Sequence, residues 1–250
     1  MRAATQLQLG SLAVFLIALE AITRTGLVSA FTIIPPSQML DSAFNLFWSG
    51  RIIRHFQSTL TAVVTAAILA IVTGFIFASL IHRFAGIRKV LEPYLASYYA
   101  VPIFAFYPLF IFIFGLNELP KITIAYLYAV VAMIVNTLNG LDRIPRVHRK
   151  TARVFNMNPV RTAWRITLPS AVPYVFAGVK LAIAYSFLGT IASEFILSAS
   201  GLGYQIGYAY HNFDNRTLYG VITIILAMSV TLNLVLLYWE RAILSRRGTL

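Results

Sequence analysis

The segment Arg146-Val-His-Arg-Lys-Thr-Ala-Arg-Val-Phe-Asn156-Met-Asn-Pro-Val-Arg-Thr-Ala-Trp-Arg-Ile166-Thr-Leu-Pro169 lies between two long apolar runs. From Val147 to Phe155 a helical period places Val147, Thr151, Val154 and Phe155 on one side. Arg149, Lys150 and Arg153 fall on the other. That pattern predicts an amphipathic helix of about three turns. Asn156 follows, and Asn ranks next after Gly at a left-handed helix end. Asn158-Pro159 then reads as an N-cap with Pro at the first helical position. A second short helix is expected to about Ile166, with Leu168-Pro169 closing the segment. The whole stretch is helix, turn, helix within a loop spanning residues 142–169. Its charge suits anionic lipid and a soluble protein partner equally well.

The rest of the chain places this loop beside a membrane. Of 250 residues 59% are hydrophobic and only 11% charged, with a mean hydropathy of +0.77. Soluble domains carry about 25% charged residues. A polytopic membrane protein follows, with the lipid bilayer as its solvent. The net charge is +12. Nucleic-acid binding is a poor account of that excess, because the cations are interleaved with apolar spans. The chain has no cysteine, which excludes disulfides, thiolate metal sites and cysteine nucleophiles. Met1-Arg2-Ala3 leads into an apolar run without a small-residue cleavage site, so it reads as a retained first span.

About 20 apolar residues cross a hydrocarbon core of roughly 30 Å as a helix. Six stretches qualify: Leu9–Ala30, Gln57–Ile81, Pro93–Leu116, Ile122–Leu141, Ser170–Ser193 and Thr217–Trp239. One set of loop ends holds Arg2, Arg83, Arg88, Lys89, the seven cations from Arg143 to Arg165, Arg241, Arg246 and Arg247. The other holds Arg51, Arg54, Lys121 and Arg216. The richer set is expected in the cytoplasm, which puts both termini inside. The fold class is therefore an all-α membrane protein of six transmembrane helices forming a single domain over 1–250.

Individual residues carry further expectations. Pro102 and Pro108 interrupt the third span, and each removes a backbone donor. That is either a kinked structural helix or a helix lining a path, with Tyr98, Tyr99, Phe104, Phe106 and Tyr107 around it. Glu20 and Arg24 are spaced to pair along one helix. No lysine follows a glycine, so no phosphate-binding loop exists. Gly201 and Gly203 with Gly207 have the wrong spacing for a dinucleotide fingerprint. His55, His82, His148 and His211 show no metal-ligand spacing, and no G-x-S-x-G elbow is present. No catalytic or metal residue is assigned, and the chain reads as no enzyme.

The basic segment resembles the signature loop of permease subunits of bacterial ABC importers: Glu-Ala-Ala, three residues, Gly, nine residues, Ile, one residue, Leu-Pro. Ile166, Leu168 and Pro169 match. Counting back puts Asn156 at the Gly, Ala152 and Thr151 at the two Ala, and Lys150 at the Glu. Asn for Gly keeps the turn chemistry, whereas Lys for Glu reverses a charge. The likeness extends to Pro35-Pro36-Ser37, His55 to Leu60, Glu92-Pro93, Pro102, Pro108-Leu109, Phe114 to Glu118 with Lys121, Asn136-Thr137 with Gly140, and Glu194 with Gly201 to Tyr204. These features are similar to the subgroup importing nitrate, sulfonates, taurine and thiamine-pyrimidine precursors.

That resemblance implies the type I ABC importer permease fold, in a bacterial inner membrane. It implies two permease copies, a cytoplasmic ATPase dimer and an external or periplasmic substrate-binding protein. ATP and Mg would be bound by the ATPase, leaving this chain without a cofactor. Arg149 through Asn156, with Ile166, Leu168 and Pro169, would form the coupling helix seated on the ATPase. Tyr98, Tyr99, Pro102, Asn136, Thr137 and Glu194 are candidates for the substrate path. An ATP-independent channel or secondary carrier is the alternative.

Overall fold

The computed structural model describes residues 2–29 and 31–245. Helix α1, Arg2–Arg24, leads into α2, Pro36–Trp48. The first expected crossing therefore ends as helix at Arg24 rather than at Ala30, and Ala30 lies outside the described residues. Glu20 and Arg24 pair at 2.6 Å, as their spacing predicts. The Glu20 carboxylate also accepts from the Ser37 backbone N–H at 2.9 Å and its hydroxyl at 2.6 Å. An acid from α1 thus satisfies a free donor in the first turn of α2, which opens on Pro35-Pro36 without a side-chain cap of its own.

Helix α3, Ile53–Arg83, is a single 31-residue helix. The third expected crossing differs. Pro93 lies inside α4, Ala85–Ser97, and α5, Tyr107–Phe114, follows after two short 3-10 turns. The two arms meet at 82°, so the segment is a broken helix pair rather than one kinked helix. Val101, before Pro102, is extended, and Pro102 cannot donate to the turn behind it. Pro108 then sits in the first turn of α5, where no donor is needed. The Tyr98 hydroxyl donates to the Leu127 carbonyl at 3.0 Å and ties the bend to the next helix.

That helix is α6, Leu119–Asp142. The basic segment follows as α7, Arg146–Val154, and α8, Pro159–Thr162. A π turn over Ala163–Thr167 runs straight into α9, Leu168–Leu197. Leu168-Pro169 is therefore the first turn of α9, not the close of a loop. The chain ends with α10, Leu202–His211, and α11, Asn215–Ser245. Among the described residues four helices are long and apolar enough to cross a membrane, or five if the bent pair counts as one.

Helix α6 is the centre of the bundle, packed between α3 and α9. Small residues permit the close approach. Ala62, Ala66, Ala70 and Ala78 form a fully or almost fully buried stripe on α3, and Ala125, Ala129 and Ala132 do so on α6. A Cβ at Gly140 would lie 2.5 Å from Tyr174 Cβ, and one at Gly189 would lie 2.9 Å from Ala125 Cα. The large apolar side chains that stay exposed, such as Ile68, Phe112 and Leu234, face away from this core and suit lipid.

Candidate functional site

At the basic end of the bundle the 142–169 segment takes the shape its chemistry predicts. Asn156 is left-handed, with φ 48°. The Met157 N–H returns to the Ala152 carbonyl at 2.9 Å, the long bond of a Schellman turn. Asn158 Oδ1 accepts from the Arg161 N–H at 2.7 Å and caps α8. Ala152 is buried and Thr151 bonds back to Val147 at 3.1 Å. Val147, Val154, Phe155 and Trp164 are exposed, Phe155 at 72%. The amphipathic helix thus turns apolar groups outward, and none of the described residues covers them. Lys150 is exposed beside them, while the side chains of Arg149 and Arg153 lie outside the described residues. Ile166, Leu168 and Pro169 belong to the run into α9, where Ile166 and Leu168 are half-buried.

Beneath this segment, Arg88 holds Asp142 with two hydrogen bonds, and His82 lies 3.5 Å from the same carboxylate. This cluster joins α3, α4 and the end of α6. Further along, Lys180 on α9 pairs with Glu240 at 2.8 Å, which gives this cation a partner on α11.

The opposite end holds a polar cluster of a different kind. Lys121, counted above among loop cations, is fully buried on α6. It lies 2.6 Å from Glu118 and 3.2 Å from Glu194, and donates to the Ser58 hydroxyl at 2.6 Å. Glu194, on α9, accepts from Thr59 at 2.8 Å and from the Gly203 N–H at 3.1 Å. Thr59 in turn accepts from the Leu202 N–H at 2.8 Å. His55 accepts from the Gly201 N–H at 3.2 Å, contacts Gln205 at 2.8 Å and stacks on Tyr204. Four helices, α3, α6, α9 and α10, are pinned around one turn. Burial pushes the Glu118 carboxyl up, but hydrogen bonds from Lys121 and Ser200 outweigh it and hold it below its ordinary value.

The Gly201-Leu202-Gly203 motif is explained by this geometry. Gly201 sits at φ +109°, and a Cβ there would fall 2.0 Å from the Glu194 carboxylate. Gly201→Ala is expected to cost about 2 kcal/mol or more from backbone strain alone, read as a lower apparent Tm of the purified protein. Gly207→Ala meets only ordinary contact, 3.4 Å from the Phe195 carbonyl, and should leave it unchanged.

The six path candidates separate. Glu194 and Thr137 are buried, Glu194 inside the cluster and Thr137 between helices. Asn136 donates to the Ala132 carbonyl of its own helix at 2.8 Å. Tyr98, Tyr99 and Pro102 line the bend, and Tyr99 is 53% exposed. Two residues that sequence reasoning did not single out join them. Tyr185 lies 6.5 Å from Tyr99 and 5.4 Å from Tyr128, ring to ring.

Comparison with known proteins supplies context. Residues 70–248 match the family of binding-protein-dependent transport system inner membrane components. The chain is 25% identical over 205 residues to the taurine transport system permease protein of Escherichia coli, covering 80% of this chain and 74% of that one. It is 29% identical over 235 residues to a putative aliphatic sulfonates transport permease protein of Bacillus subtilis, with 92% and 83% covered. With the nitrate import permease protein of Synechococcus elongatus it shares 29% over 153 residues, 61% of this chain and 55% of that one. In fold it is similar to a chain of the methionine ABC transporter solved in inward-facing conformations, at a TM-score of 0.63 and 18% identity over 77% of this chain and 95% of that one.

Proposed function

The chain belongs to the family of binding-protein-dependent transport system inner membrane components, and on that premise we propose that it is the permease subunit of an ATP-driven importer. Two copies form the membrane path. A binding protein delivers a small taurine-, nitrate- or sulfonate-like solute from outside, and a cytoplasmic ATPase dimer drives alternating access. Six crossings are reached when α1 and the bent α4–α5 pair each span, and both termini then lie inside with the basic segment. The relatives' names support the solute class.

The observation that carries the coupling role is the exposed apolar edge of α7 beside Lys150, ended by the left-handed turn at Asn156. An apolar edge on a basic helix needs a cover, and a protein cleft fits a rigid capped helix. ATP-driven closure of the ATPase dimer would draw two such helices together. A ligand shifts an equilibrium only through unequal affinity for its two states, so the loaded binding protein and ATP must both favour the outward-facing form.

The test is co-purification of the chain with its ATPase, followed by uptake in proteoliposomes with loaded binding protein. Uptake should require ATP and all three components. Flux that persists without ATP and without the partners identifies a channel or secondary carrier and sinks the proposal.

A further inference from the structure

Tyrosine hydroxyls inside a membrane bundle ordinarily find a partner, because no water competes for them. Several here do. Tyr98 donates to the Leu127 carbonyl, Tyr126 bonds Thr73 at 3.2 Å, and Tyr219 donates to the Thr32 carbonyl. Among the described residues the hydroxyls of Tyr99, Tyr128 and Tyr185 take no such bond. The three come from different elements: the bend, α6 and α9. Their rings nevertheless touch in series, with Phe104 packed on Tyr128 at 5.4 Å.

Their depth is also informative. Tyr128 is about 14 Å along α6 from Leu119, and Tyr185 about 18 Å along α9 from Leu197, at a rise of about 1.5 Å per residue. Both figures fall near the middle of a hydrocarbon core of roughly 30 Å. Tyr99 also lines a groove of about 200 Å³ between α4 and α6 that runs toward Asn139 and Arg88 at the basic end. An unbonded Tyr99 on that groove, with Tyr185 and Tyr128 behind it in the ring series at mid-depth, suits a wet surface better than a lipid-facing one.

We infer that Tyr99, Tyr128 and Tyr185 form a hydroxyl rung that donates hydrogen bonds to the oxyanion head of the solute as it crosses. The inference rests on the permease reading above and adds the residues and the bonding mode. Among the described residues no cation packs on these rings, and the cations within the bundle are taken, Lys121 by Glu118 and Glu194, Lys180 by Glu240 and Arg88 by Asp142. Neutral donors hold an anion weakly, which suits a station that must release what it receives.

The absence of cysteine makes the test direct. Tyr99→Cys, Tyr128→Cys and Tyr185→Cys are made singly in the full chain and assembled with ATPase and binding protein in proteoliposomes. Each is exposed to methanethiosulfonate ethylsulfonate, a charged sulfonate that modifies thiols only from water. Labelling at all three, slowed at least threefold by taurine or ethanesulfonate, is expected. No labelling with or without ATP means lipid or a second copy covers the face, and overturns the inference. In parallel, the triple Tyr→Phe variant should retain binding-protein-stimulated ATP hydrolysis while solute uptake falls about tenfold, each lost neutral hydrogen bond being worth a few-fold. Uptake equal to that of the unmodified protein also overturns it; if the triple variant loses ATP hydrolysis, the single Phe variants are read by the same criterion. Failure of the permease reading is distinct, because the unmodified chain would then recruit no ATPase at all.

Discussion

Lys121→Met is expected to destabilise this protein more than any other single exchange of a polar side chain. The substitution keeps length and volume but leaves Glu194, itself buried, without its cation. Removing one member of a buried pair costs about 3–5 kcal/mol, since an uncompensated charge stays behind. The same ammonium also serves Glu118 and Ser58, and Glu194 holds the turn through Gly203. The loss should therefore spread to α3, α9 and α10 together. At about 2–4 °C per kcal/mol for a chain of this size, the apparent Tm in detergent should fall by roughly 10 °C. The double variant Lys121→Met/Glu194→Gln removes both charges while a carbonyl oxygen can still accept from Gly203. It should recover most of the loss. A double variant no better than the single one would show that the pair's charge is not what holds the four helices together.

Phe155→Ala addresses the other end of the molecule and should act on assembly rather than on stability. The ring is largely exposed on a helix whose neighbours Val147 and Val154 are exposed as well. A buried aromatic anchor at an interface is worth about 2 kcal/mol or more, so Kd for the ATPase should rise about thirtyfold, with membrane insertion unchanged. Deleting residues 149–157 should abolish co-purification. Binding measured with the detergent-solubilised protein and immobilised ATPase checks both. Unchanged docking of Phe155→Ala would mean that this face is turned to lipid. Lys150→Glu offers a finer probe of the same surface. It restores the acid common at this place in the signature pattern, and a partner shaped to Lys150 should bind it more weakly, with the difference shrinking as salt rises.

Much of this architecture was legible along the chain because its causes are local. Helices α3, α6, α9 and α11 contain the apolar runs that hydropathy marks, since a span is defined by its own twenty residues. The Asn156 turn and the Asn158 cap were legible for the same reason: a few consecutive side chains settle the backbone there. The Glu20–Arg24 pair followed from one helical turn, but the bond from Glu20 to Ser37 needed the fold of α1 onto α2.

What stayed hidden depends on residues far apart in sequence. Lys121 looks like a loop cation, because its partners Ser58 and Glu194 lie 63 and 73 positions away. Pro102 announces a break, but an 82° bend needs α6 to receive Tyr98 on the far side. Tyr128 and Tyr185 look like ordinary packing until α6 and α9 set them beside Tyr99. Sequence alone determined which segments are helical and apolar, where the basic segment turns, and which family the chain resembles, because those properties follow from neighbouring residues and their contact with lipid or water. Only the tertiary structure decided which buried charges neutralise one another and which hydroxyls are left free, because a polar group in a low-dielectric core is governed by whatever partner packing brings within about 3 Å of it.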